Sequence, residues 1–317
     1  MSSILRSEAA EAAAPAMLPG GAGPAELIVE HETTYAYGSA VELAHHIAML
    51  KPRGDGIQQL LDFALHVDPA PARVQGRVDT WGNALAHFSL TVPHESLCVR
   101  ATSRVRLAPS LPLPPAMTWE VAREHWRYQA GRPLDAAVEF VYDSALVGRA
   151  AALRVWAAPC FTAGRPLDEA ARELMHRLHE EFTYEPESTE VDTPMLDAFE
   201  QKRGVCQDFA HVMIGALRSL GLAARYVSGY LLTDPPPGQP RLQGADASHA
   251  WVAVALPRVD GGASDWLELD PTNDCVAGVG HVRVAHGRDY RDVTPLSGVI
   301  RGGGRHALTV RVSTRPA

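Results

Sequence analysis

Ten residues, 108–117 (APSLPLPPAM), carry four prolines: Pro109, Pro112, Pro114 and Pro115. A run this rich in proline forms a stiff, extended connector and marks a domain boundary. The texture of the chain changes across it. Upstream, LIVEHETTYAY, LLDFALHV, ALAHFSLTV and LCVRATSRVRL alternate apolar and polar residues and are rich in β-branched side chains. Pro52, Gly54, Gly56, Pro69, Pro71 and the Gly82–Asn83 turn punctuate them. This pattern predicts an all-β domain over 26–107, sandwich-like or a small barrel. Residues 1–25, rich in Ala, Pro and Gly, read as a disordered tail.

Downstream the period switches to that of helices. In 167–182 the apolar positions Leu167, Ala170, Ala171, Leu174, Met175, Leu178 and Phe182 share one face, behind Pro166. A short helix is predicted from Pro194 to about Gln201, capped by Thr193. After Gly204-Val205-Cys206 comes a stronger one, with Phe209, Val212, Met213, Ala216, Leu217 and Leu220 aligned and Gly221 in the C-terminal capping position. AARYVSGYLL (223–232), HAWVAVAL (249–256), WLELD (266–270) and RHALTVRVS read as strands. Helices followed by antiparallel strands predict an α+β domain over 118–317.

Composition narrows the function. The net charge is −8 and no dense Lys/Arg run occurs, which argues against a nucleic-acid partner. No apolar stretch approaches 18 residues, and the N-terminus lacks the apolar core of a secretion signal. Four widely spaced cysteines, Cys98, Cys160, Cys206 and Cys275, form no CxxC pair. Neither a disulfide framework nor a cysteine zinc site is indicated, and free thiols point to a reducing, cytoplasmic location.

Cys206 opens the strong helix. Unpaired N–H groups and the positive end of the dipole favour an anion there, and a thiolate is the nucleophilic form of cysteine. The plainer reading is a buried structural thiol. His249 opens a strand; an imidazole beside a thiol takes its proton and later gives it to a leaving amine. One histidine among 14 carries little weight alone. Asp270 ends the next strand, where a carboxylate orients an imidazole or merely starts a turn before Pro271. A helix start and two successive strand positions together are more specific than any one of them.

GVCQDFAHVMIGALRSLGLAARYVSGYL, SHAWVAV and WLELDPTND closely resemble the transglutaminase-like core, a papain-like fold also found in bacterial cysteine proteases. His31, Thr33, Tyr35, Tyr37, His46, Leu50, Pro52, Arg53, Gln58, Asp79, Gly82 and Asn83 resemble the bacterial transglutaminase N-terminal domain. The resemblance spans about 26–295. It implies that Cys206 is the nucleophile, His249 the base and Asp270 the orienting acid. It also implies acyl transfer on a peptide or carboxamide through a thioester. Hydrolysis is favoured, glutamine cross-linking is the alternative, and a non-catalytic scaffold is the reading of another class. A peptide or protein substrate and no cofactor follow.

Further residues fall near these three. Asp208, in the first helical turn, reads as a brace for the preceding loop or an orienter of substrate. Gln207 can reach a cleft beside the thiol, and His211 reads as support from behind. Trp251 and Trp266 are packing aromatics or walls of an acyl pocket. Tyr184 and Thr189 precede the cysteine and are candidate cleft residues. His176 and His179, three apart, read as a solvated helix face rather than a metal pair, and no metal is expected. His45–His46 reads as structural, and Cys275 as a bystander thiol. Gly302-Gly303-Gly304 lacks the following helix that a phosphate loop needs.

Overall fold

The computed structural model describes residues 25–109, 113, 115–128, 130–131, 134–186, 193–233 and 248–317. Five strands come first: β1 (Ala25–Ala48), β2 (Gln58–Asp68), β3 (Val74–Val78), β4 (Ala84–Leu90) and β5 (His94–Leu107). The alternation seen in the sequence holds along β1, where Leu27, Val29, His31 and Thr33 are buried and their neighbours less so. β1 runs further than its opening motif suggests. Its register shifts between Ala36 and Val41. Residues before the shift pair with β5, and Ala44–Ala48 pair with β4. One bent strand thus serves two sheet sections, and Val41, Ala44, Val67, Phe88, Leu97 and Val99 fill the core between them.

The second half begins with α1 (Trp119–His125), α2 (Ala151–Ala157) and α3 (Leu167–Glu181). β6 (Thr183–Tyr184), α4 (Met195–Gln201), β7 (Arg203–Gly204) and α5 (Cys206–Ser219) follow. Then come β8 (Ala224–Leu231), β9 (Ser248–Leu256), β10 (Asp265–Asp270), β11 (Cys275–Val276) and β12 (His281–Gly287). The last five form one antiparallel sheet in the order β11-β10-β9-β8-β12. α5 packs on this sheet and is buried almost all round from Gln207 to Arg218, as a helix at the centre of a domain must be. Gly221 takes φ 81°, in keeping with its capping position.

The final strands depart from the sequence reading. β13 (Leu296–Gly302) and β14 (His306–Pro316) pair with β1, not with the core sheet. Residues 118–317 are therefore not one separate unit, because the chain returns to complete the N-terminal sandwich. A 24-residue strand exposes two long edges, and β4 and β5 leave part of each unpaired. Free edge groups demand partners. Tail and first strand lie at opposite ends of the chain, so local pattern cannot reveal the pairing.

Two side-chain amides lock the sandwich onto β12, the edge strand of the core sheet. Gln58 Nε2 donates to Arg283 O at 2.8 Å, and Gln58 Oε1 accepts from Arg283 N at 2.8 Å. Asn83 repeats this on His286, donating to its O at 2.8 Å and accepting from its N at 3.0 Å. Each amide imitates a neighbouring strand. Arg283 and His286 both face this edge, three positions apart, because the β12 register shifts between Arg283 and Ala285. Tyr230 Oη lies 3.0 Å from His31 Nδ1 and ties β8 to β1. Gln58, Asn83 and His31, three of the residues that carry the N-terminal resemblance, thus dock the sandwich onto the core.

Candidate active site

Cys206 is the first residue of α5, at half-buried depth. The turn before it is held by Asp208, whose Oδ2 accepts from Val205 N at 2.8 Å. A Cβ on Gly204 would lie 2.6 Å from the Asp208 side chain, so only glycine lets the carboxylate close this turn. Asp208 therefore braces the loop, the first of its two predicted roles. Lys202, the left-handed residue that ends α4 (φ 55°), anchors the same loop. Its Nζ lies 4.6–4.9 Å from the ring centres of Phe199, Phe182 and Trp156 and 2.9 Å from Glu181 Oε2.

His249 and Asp270 come from neighbouring strands of the sheet beneath α5. His249 Nε2 stands 2.7 Å from Asp270 Oδ2. The Cys206 thiol interacts with the same imidazole and favours its charged form. The structure brings all three residues together. Burial alone would pull the imidazole down. The Asp270 charge and its hydrogen bond reverse this, the Cys206 contact adds to it, and the imidazole is held up at about 10. Asp270 is fully buried, which would raise its carboxyl. The His249 charge and hydrogen bond and that of His281 instead hold it well below the usual carboxylate range.

Five donors keep Asp270 ionised. Oδ1 accepts from the backbone N–H groups of Thr272 (3.0 Å) and Asn273 (3.2 Å). Oδ2 faces His249 Nε2, Asn273 Nδ2 at 2.7 Å and His281 Nε2 at 3.1 Å. His281 Nδ1 accepts from Gly278 N, so its Nε2 carries the proton and donates to Asp270. His281 and Asn273 went unrecognised in the sequence. Asn273 had a signal, since Asp-Pro-Thr-Asn is an Asx-turn whose last side chain folds back on its first. His281, which opens a strand with no motif around it, had none.

The remaining predicted residues divide. Trp251 is fully buried beneath His249, with centroids 6.1 Å apart and planes at 28°, and its Nε1 donates to Glu268 at 2.9 Å. It is the floor of the imidazole, not a pocket wall. Trp266 lies opposite Ala255, four residues up β10 from Asp270, roughly 13 Å at the usual strand rise. There it packs on Arg225 and Phe140, so it does not line the thiol site. It borders a separate cleft of about 550 Å3 between the sandwich and the core. His211 is buried and neutral, burial pushing it down to about 4, and its Nε2 accepts from Tyr290 N. Gln207 is buried beside Cys206. Tyr184 is half-buried and pushed up to about 12, by burial first and then by the nearby Cys206. Tyr226 and Tyr290 also feel Cys206, and Tyr290 feels Tyr35 of the sandwich. Thr189 lies outside the described residues. His176 meets Asp274 and Glu180 on an exposed face, as expected of a solvated pair.

Fold and site define a transglutaminase-like core joined to an N-terminal β sandwich. Residues 27–106 match the bacterial transglutaminase-like N-terminal region, and 156–271 match the transglutaminase-like superfamily. An uncharacterized protein of Mycobacterium tuberculosis is 41% identical over 277 residues, 86% of each chain. The chain belongs to the bacterial transglutaminase-like family. Its fold is similar to that of a candidate cysteine protease from Cytophaga hutchinsonii, with TM-score 0.70, 20% identity, and 92% and 91% of the two chains covered. A shorter stretch of 97 residues, 30% of this chain and 14% of the relative, is 34% identical to a protein-glutamine gamma-glutamyltransferase of Pseudomonas aeruginosa. Among the described residues no helix is long and apolar enough to cross a membrane.

Proposed function

We propose that the protein is a cysteine-dependent acyl-transfer enzyme that opens peptide or carboxamide bonds through a thioester. The observation that carries this is His249, bonded to the buried Asp270 carboxylate at 2.7 Å and interacting with the Cys206 thiol. The imidazole takes the thiol proton, and Asp270 stabilises the resulting imidazolium. The thiolate adds to the carbonyl carbon. The oxyanion forms at the start of α5, where the Cys206 N–H is a donor. His249 then returns its proton to the departing nitrogen, the C–N bond breaks, and the thioester remains. An incoming nucleophile loses a proton to His249, attacks the thioester carbonyl and releases the thiol.

That nucleophile decides the activity. Cys206 is only half-buried, which leaves water a path to the thioester, and we take hydrolysis as the main outcome. The relative named as a protein-glutamine gamma-glutamyltransferase supports the second reading, resolution by a primary amine. The substrate in either case is a peptide or protein. Four cysteines outside any disulfide agree with a cytoplasmic location.

The protein is tested on a glutamine-containing peptide with a labelled primary amine present. Release of free acid or ammonia, abolished in Cys206→Ala, is the expected result. Full activity in Cys206→Ala removes the proposal, and amine incorporation outpacing hydrolysis reverses the preference. A protein inactive on every amide, whose Cys206 alkylates at pH 6 no faster than free cysteine, is a scaffold.

A further inference from the structure

Cys275 has no part in this chemistry, yet it lies against its centre. The chain turns after Asp270 and returns as β11, which pairs Asp270 with Cys275 across the hairpin. β12 then delivers His281. An Asp270 carboxylate oxygen, the Cys275 sulfur and a His281 ring nitrogen all lie within 4.8 Å of one another. Asp270 Oδ2 and His281 Nε2 are 3.1 Å apart, near the roughly 3.3 Å between two ligands on a tetrahedral ion with bonds of about 2.0 Å. Asp270 and His281 are buried and Cys275 is half-buried, and all three donors stand on strands. No spacing in the sequence announces this cluster, because two turns of the sheet assemble it.

We propose that Asp270, Cys275 and His281 form a zinc site, and that its occupation switches the Cys206 centre off. One thiolate, one imidazole and one carboxylate make the mixed donor set that Zn2+ takes, with water in the fourth position. Ca2+ and Mg2+ demand oxygen ligands throughout. On binding, Cys275 loses its thiol proton to solvent. His281 moves its ring proton from Nε2 to Nδ1 and gives up the 3.2 Å bond from Gly278 N–H. That rearrangement makes binding weaker than in a structural zinc site, and so reversible. The metal draws on the same Oδ2 that holds His249. His249 then loses its acceptor, and Cys206 its activated partner. The binding claim stands on the geometry alone, whereas the switch rests on the proposed function.

The two halves are tested separately. Co2+ replaces Zn2+ as a spectroscopic probe in Cys206→Ser, which removes the nucleophile as a competing ligand. The expected result is one equivalent of Co2+ with a thiolate-to-cobalt charge-transfer band and the visible bands of four-coordination. The charge-transfer band disappears in Cys206→Ser/Cys275→Ser, and the visible bands weaken in Cys206→Ser/His281→Gln. No charge-transfer band in Cys206→Ser, or one that survives loss of Cys275, overturns the site. For the switch, Zn2+ slows iodoacetamide alkylation of Cys206 at least tenfold in the native sequence and less than twofold in Cys275→Ser. Equal slowing in both places the metal on Cys206 itself and overturns the switch while leaving the binding result intact.

Discussion

Replacing Asp270 by Asn removes one charge and leaves the shape of the side chain unchanged. The Asn carbonyl oxygen stays on the Thr272 and Asn273 N–H groups. Its NH2 then faces His249 Nε2, His281 Nε2–H and the Asn273 amide, all of which meet Oδ2 in the native site. Donors now oppose donors. His249 is relieved by moving its proton to Nδ1 and accepting at Nε2, and a ring protonated at Nδ1 takes no proton from Cys206. In the native site, Asp270 and Cys206 hold the imidazole at about 10 against the pull of burial, compared with an ordinary 6.5. Breaking a buried ion pair by removing one partner costs about 3–5 kcal/mol, here at the expense of the imidazolium. The charge disappears, while the burial remains. The assay is second-order alkylation of Cys206 by iodoacetamide at pH 6 with a chelator present, which needs no substrate. We expect the Asp270→Asn rate to fall about 10^2–10^3-fold, with a cooperative melt confirming the fold. A rate within threefold of native refutes the reasoning, since His249 would then be activating the thiol without its carboxylate.

His31 is buried and neutral, pushed by burial from an ordinary 6.5 to about 4. The unfolded chain therefore binds a proton that the folded one refuses, and stability falls as pH drops from 6.5 toward 4. The loss from this residue is about 3 kcal/mol, or roughly 1.4 kcal/mol per pH unit. In His31→Gln, urea unfolding between pH 4 and 6.5 shows a slope shallower by up to one proton. Gln58→Leu leaves Arg283 N without its acceptor in a buried interface and is expected to cost about 1–3 kcal/mol, read as a lower urea midpoint; no change would remove the amide from the docking account. Gly204→Ala drives a Cβ to 2.6 Å from Asp208, so the brace on Val205 opens and Cys206 alkylation slows by about tenfold or more. Gly229→Ala meets Val282 O at 2.1 Å and the Trp251 ring at 2.5 Å, and the melting temperature falls by more than 5 °C, as for a loss of about 2 kcal/mol or more.

Where one chain segment carries its own signal, the sequence was legible. α3 and α5 were visible because apolar residues recur at helical spacing over four turns. Cys206 was visible because it opens one of those helices, and His249 and Asp270 because each bounds a strand of the right texture. Partners assembled by tertiary pairing were hidden. β14 looks like any alternating strand, and nothing local assigns it to β1 rather than to the core sheet. His281 is a histidine in an apolar strand until the sheet sets it beside Asp270. Trp266 misled for the same reason. It stands four residues from Asp270 in sequence, and those residues are extended, which carries its ring to another surface.

β12 joins these observations. It begins at His281, which donates to Asp270. Two residues later it reaches Arg283, whose backbone is gripped by Gln58, and three further on His286, gripped by Asn83. An edge strand without a neighbour frays, since half of its backbone groups lack partners. Fraying at this edge begins within two residues of the ring that fixes Asp270. The sandwich closes that edge with side chains from β2 and the β3–β4 turn, and so completes the core sheet where the buried carboxylate depends on it. This gives the N-terminal domain a physical reason to be present that substrate contact alone does not supply. It also accounts for the return of β13 and β14 across the molecule: by filling the edges of β1 they stiffen the strand that, through His31 and Tyr230, anchors β8 beside β12.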